Sequence, residues 1–463
     1  MGAVFSTARS KASPKKFRLL EYDSLKTVIQ HLDPNVRFKL CLHLPSIRKV
    51  DRAVPLKIHH LDFKPYQFIV NGVVYRLGTM RDYGSSAILT IHQEQNDEGG
   101  VPWDLDTYGF PFEAEVTPGD VVIRDERWPM FRGPQTEEQA ERVEAQLRIN
   151  HYILARKQGK DVGPVPIMEN DPNYFLLAQN EFHSVNGLQR LIGSQLNQVM
   201  PFRYKRSGFL PPYRKFVRLS IGGTITHDFP EDFAIHQVQK RLNDVLFGQR
   251  NLAVYAKRLM VECNDIYIRL PLGLKFRIRK LTTDHHAVGV CKGIEPILST
   301  SSFPLQSLTM IRFLDDYNHQ ILSTAQKLVM ADDASVEEWL PIFLNLQNKR
   351  IVLKYSQFSV EDYVQIVQHL LDSPREPGTW MSFGIPAVEM LARILGRLEK
   401  RFEQAKGEPR CIKIPIKNQQ RHIDVWYDSS PTPNQYLPQW NLMVKVRDDR
   451  KSEETLIFLL YFC

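Results

Sequence analysis

The residues best suited to chemistry in this 463-residue chain lie within one short stretch, Lys275 to His286. Asp284-His285-His286 offers a carboxylate and two imidazoles, the groups that ligate a metal or move a proton. With no spaced fourth ligand they read more simply as a polar loop. Just before them, Lys275, Arg277, Arg279 and Lys280 offer cations of the kind that hold phosphate. On a strand, Phe276, Ile278 and Leu281 would take the inward positions, leaving the cations on an exposed face. Asp315-Asp316 and Asp332-Asp333 stand where strands turn into helices, a place carboxylates favour as caps. His59 and His60 are adjacent, so a strand points them to opposite faces and they do not share a metal.

The motifs that would supply an enzyme are missing. There is no P-loop, H-E-x-x-H, EF-hand loop or G-x-S-x-G elbow, and Gly222-Gly223 lacks the third glycine of a dinucleotide fingerprint. Five cysteines (Cys41, Cys263, Cys291, Cys411 and Cys463) are scattered with no C-x-x-C pair. That spacing points to reduced thiols in a cytoplasmic setting, not to a zinc ribbon or a disulfide framework. The expectation is a non-catalytic protein with no cofactor and no metal.

The elements that position these residues begin with a helical unit. Leu25, Val28, Ile29 and Leu32 recur at i, i+3, i+4 and i+7, one apolar stripe on a helix that Ser24 can cap. Asp33-Pro34 is a second start signal, a capping carboxylate followed by proline at the first helical position. Val36, Leu40 and Leu44 carry the apolar pattern on to Pro45-Ser46. Three helices in under forty residues are too small for a core, so they need a partner, internal or foreign.

Alternation resumes at Leu56 to Phe63, and Gln67 to Leu77 reads as a hairpin about an Asn71-Gly72 type I′ turn. Further strands are expected near Ala87 to Ile91 and Val121 to Arg124. Thr136 opens a charged helix, 136–158, with a thin stripe of Val143, Leu147 and Leu154. A second helix over Asn186 to Asn197 should end before Pro201. From Phe216 onward, strand and helix signals alternate, with strands near Leu308 to Phe313, Lys327 to Met330, Ile351 to Tyr355 and Thr379 to Gly384. Ser359 to Asp362 is a near capping box for a helix whose stripe is Val360, Tyr363, Val364, Val367, Leu370 and Leu371. The β-α spacing of about 20 to 29 residues resembles a leucine-rich-repeat solenoid without its L-x-x-L-x-L-x-x-N consensus. A closing run of antiparallel strands follows from Cys411, and Leu456 to Cys463 reads as a buried terminal strand.

Charge is uneven. The formal net charge is +8, and Arg9, Lys11, Lys15, Lys16 and Arg18 put +5 of it in the first 18 residues, leaving +3 for the other 445. A body so near balance is not a general polyanion binder, so no nucleic-acid partner is expected. The tail opens with Gly2 and Ser6 in the M-G-x-x-x-[ST] pattern of N-myristoylation. One acyl chain needs a second signal, which the five cations can supply at an anionic membrane surface. No run approaches the roughly 20 apolar residues of a membrane span, and no secretory signal precedes the first helix.

Several phrases resemble the nematode F-box C family, which joins a short F-box-like start to a long domain of unknown function. They are LEYDSLKTVIQHLDPNVRFKL at Leu20 to Leu40, VVYRLGTMRDYG at Val73 to Gly84 and HQVQKRLNDVLFG at His236 to Gly248. LPLGLKFRIRKL at Leu270 to Leu281, VLKYSQFSVEDYVQIVQHLL at Val352 to Leu371 and RCIKIPI at Arg410 to Ile416 complete them. The resemblance implies an adaptor that docks the small adaptor subunit of a cullin-RING ubiquitin ligase and presents a protein substrate. Carried over by position, Leu25, Val28, Ile29, Leu32, Asp33 and Pro34 would be the docking residues. Leu20-Glu21 stands where a typical F-box opens with leucine-proline, and no tryptophan follows the third helix.

The expected fold class is mixed, α+β and α/β. A disordered basic tail (1–18) leads into F-box-like helices (19–55), a β-rich segment (56–130) and a connector (131–212). A C-terminal β-α domain of degenerate leucine-rich-repeat-like units and closing antiparallel strands (213–463) completes it. The alternative to the adaptor is an N-myristoylated membrane-associated scaffold whose F-box-like helices are only structural. The adaptor reading requires Leu25, Ile29 and Leu32 to be partly exposed.

Overall fold

The computed structural model describes residues 21–112, 115–123, 133–164, 179–180, 182–230, 232–262, 266–283, 287–310, 319–331, 336–417, 419–429 and 438–449. The chain enters through α1 (Tyr22–His31), α2 (Pro34–His43) and α3 (Arg48–Arg52). Ser24 is not the cap of α1. Leu25 N–H donates to the Glu21 carbonyl, so the first turn closes ahead of Ser24 and leaves it inside the helix. Asp33 does cap α2: its carboxylate accepts from Asn35 N–H at 2.8 Å, and Pro34 begins the helix.

The hairpin forms as its turn residues require. β1 (Lys57–Lys64) pairs antiparallel with β2 (Gln67–Val70), and β2 with β3 (Val73–Asp82). Asn71 and Gly72 both take positive φ between β2 and β3. The Asn71 side-chain oxygen also accepts from the backbone N–H groups of His59 and His60, at 2.9 and 3.0 Å. Ala87 to Ile91 does not form a strand; α4 (Thr90–Asp97) starts there instead. Its sequence, TIHQEQND, supplies one apolar residue and no alternating mate, and His92 is the position it buries. β4 (Asp104–Leu105) and β5 (Pro111–Phe112) make a two-residue ladder, and β6 (Val121–Ile123) lies beyond them.

α5 (Glu137–Lys157) starts at Thr136, whose side chain accepts from Gln139 N–H. It packs on α6 (Val185–Ser207) through Leu147, Ile192 and Val199. Pro201 does not stop α6. Val199, Pro201 and Phe202 are all buried against neighbours, which offsets the one backbone hydrogen bond that proline cannot make. α5 also buries Asn150, which receives 2.8 Å and donates 2.9 Å hydrogen bonds from Asn180 and to Gln195.

β7 (Arg214–Ile221) and β8 (Ile225–Phe229) form a hairpin through Gly222 and Gly223, both at positive φ, so this glycine pair is a turn. α7 (Ile235–Phe247) ends at Gly248, whose φ is ordinary. Glycine is needed there because a Cβ would collide with the Asp244 carbonyl. Then come β9 (Val254–Val261), β10 (Ile266–Ile268), β11 (Phe276–Thr283), α8 (Ala287–Ile294), β12 (Ser307–Met310), α9 (Gln320–Thr324) and β13 (Lys327–Met330). α10 (Val336–Asn345), β14 (Arg350–Leu353), α11 (Val360–Asp372), β15 (Trp380–Ile385) and α12 (Val388–Arg401) follow. β16 (Lys406–Glu408), β17 (Cys411–Pro415), β18 (Arg421–Ser429) and β19 (Trp440–Asp448) close the described chain. The capping box of α11 is complete, with Ser359 and Asp362 each bonding the other's backbone. The strand expected over Leu456 to Cys463, and both aspartate pairs, lie outside the described residues.

Among the described residues, fifteen strands share one sheet in the order β16-β17-β18-β19-β15-β14-β13-β12-β11-β9-β1-β2-β3-β7-β8. The middle run, β1-β9-β11-β12-β13-β14-β15, is parallel, and both ends are antiparallel. Strand β1 sits between β2 and β9, so the 56–130 segment and the C-terminal half build the same sheet. β6 and β10 pair separately.

From β11 to β15 each strand pairs with the next one in sequence. Right-handed crossovers that step in one direction keep their helices on one face. Burial agrees: Phe276, Ile278, Leu281, Leu308, Leu328 and Ile351 join one core with Ile294, Tyr363 and Val367. The alternate positions of the same strands, Arg277, Ser307, Lys327 and Arg350, are half-buried or exposed. The parallel sheet therefore has one face covered by helices, and its other face is open at the starts of β11 to β14.

Candidate functional site

The N-terminal helices are held to the body by one side of α2. Phe38, Cys41 and Leu42 are buried, and the Phe38 ring meets Phe247 of α7 and Tyr75 of β3 edge-on, at 5.3 and 6.0 Å. Asn35 donates to the Val70 carbonyl at 3.0 Å and accepts from the Tyr75 hydroxyl at 3.0 Å. Beneath them lies a buried ion network. The Arg37 Nε–H donates to Asp51 at 2.6 Å, Arg250 pairs with the other carboxylate oxygen, and Arg37 also donates to the Pro55 carbonyl at 2.8 Å. Burial first, then Asp51, pushes the Cys41 thiol up to about 12, so it stays protonated and unreactive.

The opposite side of α2 is apolar too. Val36 and Leu40, at i and i+4, lie on the outward side, Val36 43% exposed and Leu40 half-buried, and Leu44, which ends the helix, is 46% exposed. A surface helix ordinarily carries one apolar stripe, and α2 carries two. On α1 the expected stripe divides. Ile29 is 1% exposed and packs on Val50 and Val54, with Leu25 and Ile47 against the same cluster. Leu25 and Leu32 are half-buried, and Val28 is 44% exposed. Of the six residues singled out in sequence, Ile29 and Pro34 are buried and Asp33 is engaged as a cap. Ile29 therefore lacks the exposure that the adaptor reading required of it, because Val50 and Val54 cover it. Outward surface is left only at Val28 and, half-buried, at Leu25 and Leu32. Tyr22 is also exposed, with the Lys26 ammonium 4.4 Å from its ring centre. Sequence reasoning placed Val36, Leu40 and Leu44 in an apolar pattern without identifying them as surface. Gly2, Arg9, Lys11, Lys15, Lys16 and Arg18 lie outside the described residues.

Asp284-His285-His286 lies outside the described residues, and no metal-ligating group of three occurs among those described. His59 is exposed while His60 is half-buried, on successive positions of β1. An Asp–His pair that spacing did not reveal joins Asp104 to His236 at 2.6 Å. Asp104 also accepts from Ile235 N–H at 2.6 Å, so the pair fixes the start of α7. Asp120 ties the segment before β6 to the body through Arg269 at 2.6 Å and Lys240 at 2.9 Å. Among the described residues, no helix is long and apolar enough to cross a membrane.

These elements define a mixed α+β protein organised on a large mixed sheet. Residues 234–387, a third of the chain, match the family described as Domain of unknown function (DUF3557). The matched span runs from the start of α7 to the end of β15 and contains the parallel run after β1. No curated protein and no solved structure matches the chain.

Proposed function

We propose that this chain is a non-catalytic protein-interaction protein, a substrate-recognition adaptor of a cullin-RING ubiquitin ligase related to the nematode F-box C family. In this reading α1 to α3 are the F-box-like unit, and β11 to β15 with their helices are degenerate leucine-rich-repeat-like units that present the substrate. The observation that carries it is the second apolar stripe of α2, Val36, Leu40 and Leu44, together with the exposed Val28 of α1. The first stripe of α2 already anchors the helices, so the second is surplus to folding and available to a partner. Cytoplasmic placement follows from that partner.

The test is co-purification of the ligase's small adaptor subunit with the full chain. Val36→Glu and Leu44→Glu, both at exposed positions, should abolish capture while leaving the thermal midpoint unchanged. Equal capture by wild type and the double variant, or none by either, defeats the reading.

A second reading rests on the Gly2 and Ser6 pattern with its five cations: an N-myristoylated scaffold at an anionic membrane surface, whose helices are structural. Incorporation of an alkynyl myristate analogue into wild type, and its loss in Gly2→Ala, would support it. Absence of label from wild type would remove it.

A further inference from the structure

The near-neutral charge of the body conceals a segregation that only the sheet register reveals. Arg258 of β9 is paired with Lys280 of β11, Lys280 with Ser307 of β12, and Lys327 of β13 with Arg350 of β14. The register of β12 on β13 sets Ser307 beside Lys327, so these residues form one lateral row on the open face. Lys349 adjoins the row at β14. Strands lie about 4.8 Å apart, which brings Lys327 and Arg350 side by side and Lys280 two strands away. None of these five cations makes an ion pair with a carboxylate among the described residues. On one side the row meets His60 of β1; on the other it passes Trp380 of β15 to Lys445 of β19, which is registered with Asp424 of β18, itself paired with Arg447. The span from β9 to β14 thus carries a row of cations with no paired carboxylate among the described residues.

That span is also concave. Lys280, Ser307, Lys327, Lys349 and Arg350, with the exposed Gln306 and Gln326, line a cleft of about 630 Å³. This volume lies in the range of small-molecule sites. The lining offers ammonium, guanidinium, amide and hydroxyl donors, and no carboxylate. Burial first, then Lys280, Arg350 and Lys354, lowers the Lys327 pKa, as expected for cations crowded without counter-charge.

We propose that this cleft binds a compact anion bearing several phosphate groups, held by Lys280, Lys327, Lys349 and Arg350. The cations stand mostly on rigid strands, so the charge is placed before the ligand arrives. Arg350 can take two oxygens of one phosphate, and the lysines act as point charges on its neighbours. The bounded cleft of about 630 Å³ favours a compact ligand over an extended chain. The proposal stands independently of whether α1 and α2 dock a ligase subunit.

Inorganic triphosphate, titrated calorimetrically into the full chain at constant ionic strength, tests it. Triphosphate should bind, orthophosphate should bind far more weakly, and Lys280→Met with Lys327→Met should weaken triphosphate at least about thirty-fold. Both lysines are half-buried, and an unchanged thermal midpoint separates lost binding from lost folding. Arg142→Met, on the far helix α5, should leave binding as it is. No heat of binding at millimolar triphosphate would overturn the proposal, as would binding that the double variant retains. Binding of a poly-glutamate peptide or a single-stranded RNA in preference to triphosphate would overturn it equally.

Discussion

His92 shows how a single side chain sets a pH limit on the fold. It is buried, its Nδ1 stands 2.6 Å from the Tyr83 hydroxyl and its Nε2 stands 2.7 Å from Asn197 Oδ1. Burial first, then Arg81, lowers its pKa from 6.5 to about 4, against a smaller opposing effect of Asn197. The unfolded chain therefore binds more protons between pH 4 and 6.5, and stability rises with pH across that window. The full effect is on the order of 3 kcal/mol and is lost as pH falls from 6.5 towards 4. Urea titrations at several pH values should show this slope, and His92→Gln should flatten it. An unchanged slope in the variant would mean that other groups set it. None of this was visible in sequence, because His92 acquires its surroundings from Arg81 and Asn197, contributed by a strand and a distant helix.

At the scale of the element, α2 separates what is legible from what is not. Asp33-Pro34, Asn71-Gly72 and the Ser359–Asp362 capping box were readable because each acts within four residues of itself. The choice between Phe38, Cys41 and Leu42 or Val36, Leu40 and Leu44 as the inward face was not, since both sets recur at helical spacing. Phe247 and Tyr75, far off in sequence, decide it. The two faces should respond differently to substitution. Phe38→Ala should cost about 3–5 kcal/mol, whereas Leu44→Glu should stay within about 0.5 kcal/mol. Chemical denaturation of both variants measures the contrast, and equal losses would mean that the outward stripe is also part of the core. Pro201 carries a related lesson: a strong local stop signal yielded to the burial of Val199 and Phe202 around it.

For the whole molecule, the decisive feature is that strands distant in sequence share a sheet. The β-α alternation of the C-terminal half was legible as spacing, and the closing antiparallel strands as alternation. The insertion of β1 between β2 and β9 had no local signal, nor did the alignment of Lys280, Lys327 and Arg350. Register is set by the packed face, and it carries the open face along with it. A chain begun at residue 213 would bare the edge of β9 and deprive β7 of β3. It should aggregate or remain unfolded, as judged by light scattering and circular dichroism. A monomeric, cooperatively melting product would instead show that the C-terminal half folds by itself.

The adaptor reading turns on where a partner sits. Hydrogen–deuterium exchange of the full chain, with and without the small adaptor subunit of a cullin-RING ligase, measures this directly. The account predicts new protection confined to α1 and α2, between Tyr22 and Leu44, and unchanged exchange across β11 to β15. Unaltered exchange in α1 and α2, or protection that falls on the parallel sheet instead, would contradict it.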